Sequence, residues 1–321
     1  MDANELWHTI RSEIEVIKKE TDAAHHPILE RACLSIKDAI DKFFSEQVAM
    51  GLPHPHPRSR IYRSEPKTWE IHDSNSSEIF NLILKKAKKS KKRPICVFDL
   101  DGTLFDVGFR TIGIIKEWLQ SDASSHFDQR LIQKIAKINY DHIGYSLSHL
   151  FENSGFDLRN QQIMAVFSSI ERVWKKKFFD GITLVQYDQM IKNSCNFVKD
   201  LHINGVEIFY LTGRYWHSMR HGTIEQLNKF NFPLKEENLI LKLNPFEDDQ
   251  LFKSEQIRIL AKEFEVCGNF ENEYLNLAYM VLEAKSAINV IVDSQHSGRP
   301  TPVLEVPIYR ISHFDERDID E

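Results

Sequence analysis

An α/β fold, a Rossmann-like parallel sheet covered by helices on both faces, is predicted by three features of the sequence. Short apolar runs recur from residue 95 onward, each closing in polar residues or glycine. Helical periodicity fills most of the intervals between them. The first run ends directly in a pair of carboxylates, and sheets of this kind carry their sites at the carboxyl ends of their strands.

The first run is Ile95-Cys96-Val97-Phe98, and Val206–Leu211, Leu239–Leu243, Ile288–Val292 and Val306–Ile311 repeat the pattern. Between them Ser194–Leu201 is apolar at Cys195, Phe197, Val198 and Leu201, which is helical spacing. One interval is different. About 100 residues separate the first run from the second, too many for a simple crossover. Within it Thr111–Gln120, Gln129–Asn139 and Asn160–Lys177 are helix-like. The predicted organisation is therefore a core of residues 93–108 and 181–321, interrupted by a helical insertion at 109–180.

Residues 1–92 are predicted to be a helical region without a chemical motif. Leu6, Ile10, Ile14 and Ile17 recur at helical spacing, as do Ile28, Ala32, Ile36, Ala39, Ile40 and Phe43. The prolines of GLPHPHPRSR then exclude regular structure. Asp73-Ser74-Asn75-Ser76 caps a third predicted helix that runs into KKAKKSKKR, read as a solvated helix end and linker.

The formal net charge of -6 argues against a general nucleic-acid binder. Four scattered cysteines (Cys33, Cys96, Cys195, Cys267) form no CxxC pair and suit a reducing compartment. The N-terminus lacks the apolar core of a signal peptide, and no run reaches the roughly 18 apolar residues of a membrane span. A cytoplasmic protein with no membrane partner is expected, its oligomeric state open.

Four segments carry chemistry. In Asp99-Leu100-Asp101-Gly102-Thr103 two carboxylates leave a buried strand. Burying such charges requires a partner, and a hard cation such as Mg²⁺ is one solution. In Thr212-Gly213-Arg214 a hydroxyl and a glycine follow an apolar strand, where Thr212 and the succeeding N–H groups, Gly213 included, can hold phosphate oxygens. Lys253 opens a helical stretch, and Glu271 and Glu273 lie in FENE after Phe264, Val266 and Cys267. Singly, the last two read as a solvated lysine and a loop.

In this order the four segments resemble those of the haloacid dehalogenase superfamily, specifically its aspartate-dependent phosphatases, over about residues 94–312. The resemblance implies that Asp99 is the nucleophile and that Asp101 is the general acid and then the base, its backbone carbonyl also on the metal. It implies that Thr212 binds the transferring phosphoryl group, Lys253 neutralises charge between Asp99 and phosphate, and Glu271 completes an Mg²⁺ site. Most relatives have Asp at that last position, so Glu273 or Asp293 remains an alternative ligand. The implied activity is hydrolysis of a small phosphate monoester through an aspartyl-phosphate, with the insertion as a mobile cap.

The chemistry independently asks for these parts. Cations must offset the repulsion between a carboxylate and a phosphoryl group, and a leaving alkoxide needs a proton. A dehalogenase is disfavoured, because Asp101 would then have no purpose. A phosphotransferase or mutase would use the same residues, and an interaction protein binding through residues 1–92 is a third reading. Arg110 is expected as a surface residue, or as a contact for a substrate anion. Trp216 and His217 are expected to pack in the core, with contact to substrate the alternative. The Val292–Arg299 segment is expected to form a turn or to reach the rim of the site.

Overall fold

The structure, a computed structural model, describes residues 69–314. The two amphipathic helices and the proline-rich segment predicted upstream lie outside the described residues. Seven strands form one parallel sheet. In chain order they are β1 (Ile71–Asp73), β2 (Arg93–Phe98), β5 (Glu207–Tyr215), β6 (Leu239–Lys242), β7 (Phe264–Glu271), β8 (Ile288–Val292) and β9 (Ile308–Ile311). Across the sheet the order is β1-β9-β8-β7-β2-β5-β6. The strand bearing Asp99 is thus central, between β7 and β5.

Alternation along the strands explains the layers. Cys96 and Phe98 face one apolar cluster, while Ile95 and Val97 face another. The first cluster is covered by α1 (Ser76–Ala87) and α8 (Ser194–Ile203) through Ile79, Phe80, Ile83, Phe197, Val198 and Leu201. The second is covered by α10 (Asp249–Glu263) and α11 (Tyr274–Glu283) through Phe252, Ile257, Leu260 and Met280. A sheet buried on both faces is what the continuous apolar strands predict.

Two elements precede the boundary expected at residue 92. Strand β1 pairs with β9 in register Ile71↔Ile308, and α1 buries Ile79, Phe80 and Ile83 against the main core. A three-residue edge strand is too short to show a period, which is why β1 is not legible in the sequence. Helix α1 starts where predicted, with the Asn75 side chain accepting from the Glu78 N–H at 2.8 Å. Strand β7 is not legible as a strand in the sequence, because Gly268 and Asn269 interrupt its apolar pattern. Asn269 is fully buried, and its amide donates to Asn289 Oδ1 of β8 at 2.9 Å. The pair is bonded across the strands through this amide, while Asn269 Oδ1 is buried with no hydrogen-bond partner.

The insertion contains α2 (Gly108–Gln120), α3 (Asp122–Ser125), α4 (Gln129–Ile135), α5 (Leu147–Asn153), α6 (Gln161–Phe178) and α7 (Gly181–Tyr187). It has its own apolar cluster, including Ile115, Trp118, Ile135, Leu150, Phe151, Val166 and Ile170. Its two connections to the sheet run side by side. Strand β3 (Phe105–Asp106) pairs antiparallel with β4 (Gln189–Met190), and the Ile191 N–H donates to the Leu104 carbonyl at 2.9 Å. Among the described residues no helix is long and apolar enough to cross a membrane.

Helix α7 docks on α9 (Trp216–Lys229) through glycine. A Cβ added at Gly222 would lie 2.1 Å from the Gly181 carbonyl oxygen and 2.5 Å from its Cα. These are backbone atoms and cannot swing aside. Gly222→Ala is therefore expected to destabilise the protein by about 1–3 kcal/mol, the usual range for overpacking. The check is a lower denaturant midpoint at unchanged slope.

Candidate active site

Asp99 follows β2 directly, and its N–H donates to the Phe270 carbonyl of β7 at 3.0 Å. That bond sets the carboxylate beside Glu271, the last residue of β7. Lys253 reaches both from the first turns of α10. Its Nζ donates to Asp99 Oδ1 at 2.7 Å and also to Glu271 Oε1. All three side chains are buried. The structure therefore brings together three of the residues singled out in the sequence.

Glu271 is fully engaged. Its Oε2 accepts the N–H groups of Asn272 and Glu273 at 2.7 and 2.9 Å, ahead of α11, and its Oε1 also accepts Asn276 Nδ2 at 2.9 Å. Asp99 is less satisfied, since Oδ2 has only the Thr103 hydroxyl at 3.4 Å. The two alternative acids lie elsewhere. The Glu273 carboxylate accepts the Ser297 N–H and hydroxyl at 2.8 and 2.7 Å, and Asp293 is exposed. The segment after β8 does reach the rim, because Ser294 Oγ donates to the Gly102 carbonyl at 2.8 Å. Gly102 turns the chain there with φ +83°, a conformation that glycine adopts without strain.

Thr212 is buried on β5, and its Oγ1 accepts the Arg214 N–H at 3.3 Å. Next to it, a Cβ on Gly213 would lie 2.8 Å from Asp249 Oδ1, so a larger residue there would push the Asp249 side chain aside. The Asp249 carboxylate is itself paired with Lys242 at 2.7 Å.

Asp101 is drawn into a different set of partners. Arg214 Nε and Nη2 donate to its Oδ1 at 3.0 and 2.5 Å, and Arg110 Nη2 does so at 3.3 Å. Arg110 is fully buried and grips Asp188 through Nε at 2.7 Å and Nη2 at 2.5 Å. This corrects the reading of Arg110 as a surface residue. Its charge is spent on two aspartates of this chain. Trp216 and His217, expected in the core, are exposed instead, and Arg220 stacks on the Trp216 ring at 4.6 Å. Arg214 and Asp188 were not singled out in the sequence. Arg214 had a signal, being the third residue of Thr-Gly-Arg, whereas nothing around Asp188 marks it.

The two clusters set opposite acidities. Burial raises Asp99, and the adjacent Glu271 and Asp101 charges raise it further. Lys253 opposes them incompletely, so its pKa moves from 3.8 to about 7. Burial would also raise Asp101, but Arg214 and then Arg110 outweigh it and hold that carboxyl at about 2. Burial would lower the Lys253 pKa, and the facing Asp99 and Glu271 carboxylates raise it instead, so the ammonium stays charged.

Residues 141–294 match the family model described as HAD superfamily, subfamily IIIB (acid phosphatase). This stretch, a little under half of the chain, is thus similar to the acid phosphatases of the haloacid dehalogenase superfamily. The matched segment contains Thr212, Lys253 and Glu271 and begins after Asp99 and Asp101. No curated protein matches the sequence significantly. Among solved structures, the class C acid phosphatase from Bacillus anthracis is 16% identical, with TM-score 0.35, over 61% of this chain and 60% of that one. A HAD hydrolase, family IA, variant 3 from Entamoeba histolytica HM-1:IMSS is 14% identical, with TM-score 0.37, over 70% of this chain and 96% of that one. A hydrolase from Streptococcus pneumoniae TIGR4 is 13% identical, with TM-score 0.38, over 66% and 95%. The chain thus spans about 60% of the length of the anthrax protein.

Protonated Asp99 favours the fold, so its contribution is present below about pH 4 and is lost as pH rises towards 7. Asp99→Asn removes that loss and leaves Lys253 paired with Glu271 alone. In chelator-containing buffer the variant is expected to be more stable than the parent, by a margin that widens from pH 5 to 7 and then levels. Urea titrations at each pH read this margin, and a pH-independent gap would contradict the charge balance described.

Proposed function

We propose that this phosphate-ester hydrolase works by a covalent mechanism in which Asp99 attacks the phosphorus of a small phosphate monoester. The observation carrying the reading is the Lys253 ammonium held between Asp99 and Glu271 at the carboxyl ends of adjacent strands. A carboxylate nucleophile must meet a dianionic ester, and a buried ammonium at 2.7 Å lowers that repulsion where water cannot. Asp99 would take the phosphoryl group, and the ester oxygen would leave with a proton from Asp101. The Asp101 carboxylate would then accept a proton from the water that cleaves the acyl-phosphate. Thr212 and the N–H groups around Gly213 would orient the phosphoryl oxygens.

The residues fit an Mg²⁺ ion. One ammonium faces two buried carboxylates, which leaves one negative charge in excess, and Asp99 Oδ2 is nearly without a donor. Among the described residues no three His, Cys, Asp or Glu side chains group closely enough to hold a metal by themselves. The remaining ligands would be backbone, water and substrate oxygens, the set that Mg²⁺ commonly takes beside one or two carboxylates. Asp99 and the Asp101 carbonyl would hold it, Glu271 would join them on giving up one of its four donors, and the ion would supply positive charge to the phosphoryl oxygens and to Asp99.

The helices of the insertion would act as a cap that excludes water from a small substrate. Its separate apolar cluster and paired connections suit movement as a unit.

Asp99→Asn is expected to lower turnover of a generic aryl phosphate by about 10³-fold or more, because an amide is not a competent nucleophile. Steady-state assays of the folded variant check this, and near-parental turnover would eliminate the covalent route. Exhaustive chelation is expected to abolish activity, and Mg²⁺ to restore it better than Ca²⁺, whose longer and more numerous bonds misplace the attacking oxygen. Full activity in the chelated protein would remove the metal from the reaction.

A further inference from the structure

Asp101 is held by one oxygen only. Its Oδ1 accepts three N–H groups from two arginines, while Oδ2 makes no hydrogen bond among the described residues, and the side chain is 28% exposed. Three donors on one oxygen fix the rotation of the carboxylate. They leave the other oxygen as the one available for proton transfer.

The arginines are themselves oriented by Asp188, which is buried where the insertion rejoins the sheet. Arg110 meets it bidentately, a geometry that sets the plane of both groups. The remaining nitrogen, Nη1, donates to the Phe178 carbonyl at 2.9 Å, and the guanidinium lies 4.6 Å from the Phe178 ring centroid. Asp188 Oδ2 also accepts Gln226 Nε2 at 2.9 Å and lies 3.5 Å from Arg214 Nη2. Gln226 Oε1 and Thr223 Oγ1 in turn accept Arg214 Nη1 at 2.8 and 3.1 Å. Two cations balance two anions, and each guanidinium is satisfied on several sides.

We propose that Arg110 and Asp188 are positioning residues that fix the Asp101 carboxylate and tie its placement to the root of the insertion. Arg110 lies on the outgoing connection, nine residues after Asp101. Phe178 and Asp188 lie on the returning side. A shift of either connection therefore reaches the Asp101 carboxylate through Arg110. The inference rests on the assignment of Asp101 to proton transfer made above. A purely structural ion cluster would hold the same connections together, but its loss would not depend on which ester is being cleaved.

The test compares the full-length parent, Asp188→Asn and Asp99→Asn on glycerol phosphate and on p-nitrophenyl phosphate with Mg²⁺ present. The alkyl ester needs a proton on its leaving oxygen and the aryl ester needs it much less. With Asp188→Asn, kcat for the alkyl ester is expected to fall by about 30-fold or more, with KM within about 3-fold. Phosphoenzyme formation from the aryl ester is expected to fall by less than about 5-fold. Equal losses on both esters, a change confined to KM, or unchanged rates would overturn the proposal. A crystal structure of Asp188→Asn gives an independent reading, with Asp101 expected to leave its present contact with Arg214; an unmoved Asp101 would also overturn it. If the parent cleaves neither ester, the proposed reaction fails, and the crystal structure alone decides the positioning. Should Asp188→Asn not fold, R110Q/D188N removes one cation and one anion together and takes the same assays with the same expected split.

Discussion

One ammonium shared by two buried carboxylates governs the carboxyl end of this sheet. Taking charges out of water is expensive, and a buried ion pair survives only when close partners and further hydrogen bonds replace the solvent. Lys253, Asp99 and Glu271 meet that demand because β2 and β7 are neighbours and α10 covers them. Glu271 receives four donors, so its position is fixed by backbone and side chain alike. Asp99 receives fewer and is held less tightly, which suits the role of nucleophile proposed for it. The difference between these acids is one of hydrogen bonding, not of burial.

The neighbouring ion cluster is balanced in charge. Asp101 and Asp188 face Arg110 and Arg214 in equal number, whereas Asp99 and Glu271 outnumber Lys253. Two aspartates two residues apart thus sit at about 7 and about 2. In the protein without ligands the proposed acid is ionised, while the proposed nucleophile is partly protonated. A dianion arriving beside Asp101 would raise its pKa, and a cation beside Asp99 would lower that of the nucleophile. Binding would then invert the two protonation states, so the same charges that fix the resting site would prepare it for the first step.

How much was legible in the sequence depended on whether the signal was local. The strand-end carboxylates announce themselves within a few residues, and the apolar runs at 95–98, 206–211, 239–243, 288–292 and 306–311 each overlap a strand of the sheet. Strand β7 escaped because its interior carries Gly268 and Asn269, and the latter is tolerable only through a cross-strand partner in β8. Lys253 alone looked like a solvated lysine, and its burial is a property of the assembled sheet. The burial of Arg110 is hidden for the same reason. Its partner Asp188 is 78 residues away, and no period or motif links them. Pairings that span the whole insertion exist only after folding.

The side-by-side connections at β3 and β4 have an evolutionary consequence. Chain leaves and re-enters the sheet at adjacent positions, held by a two-residue pairing and by the Ile191–Leu104 bond. Whatever lies between them can lengthen, shrink or be exchanged without shifting the register of β2 against β5 or β7. The helices from α3 to α5 can therefore vary while the register of the sheet is preserved. The boundary of that freedom is drawn at Arg110 and Asp188, where a graft would have to bring a matching arginine and aspartate with it.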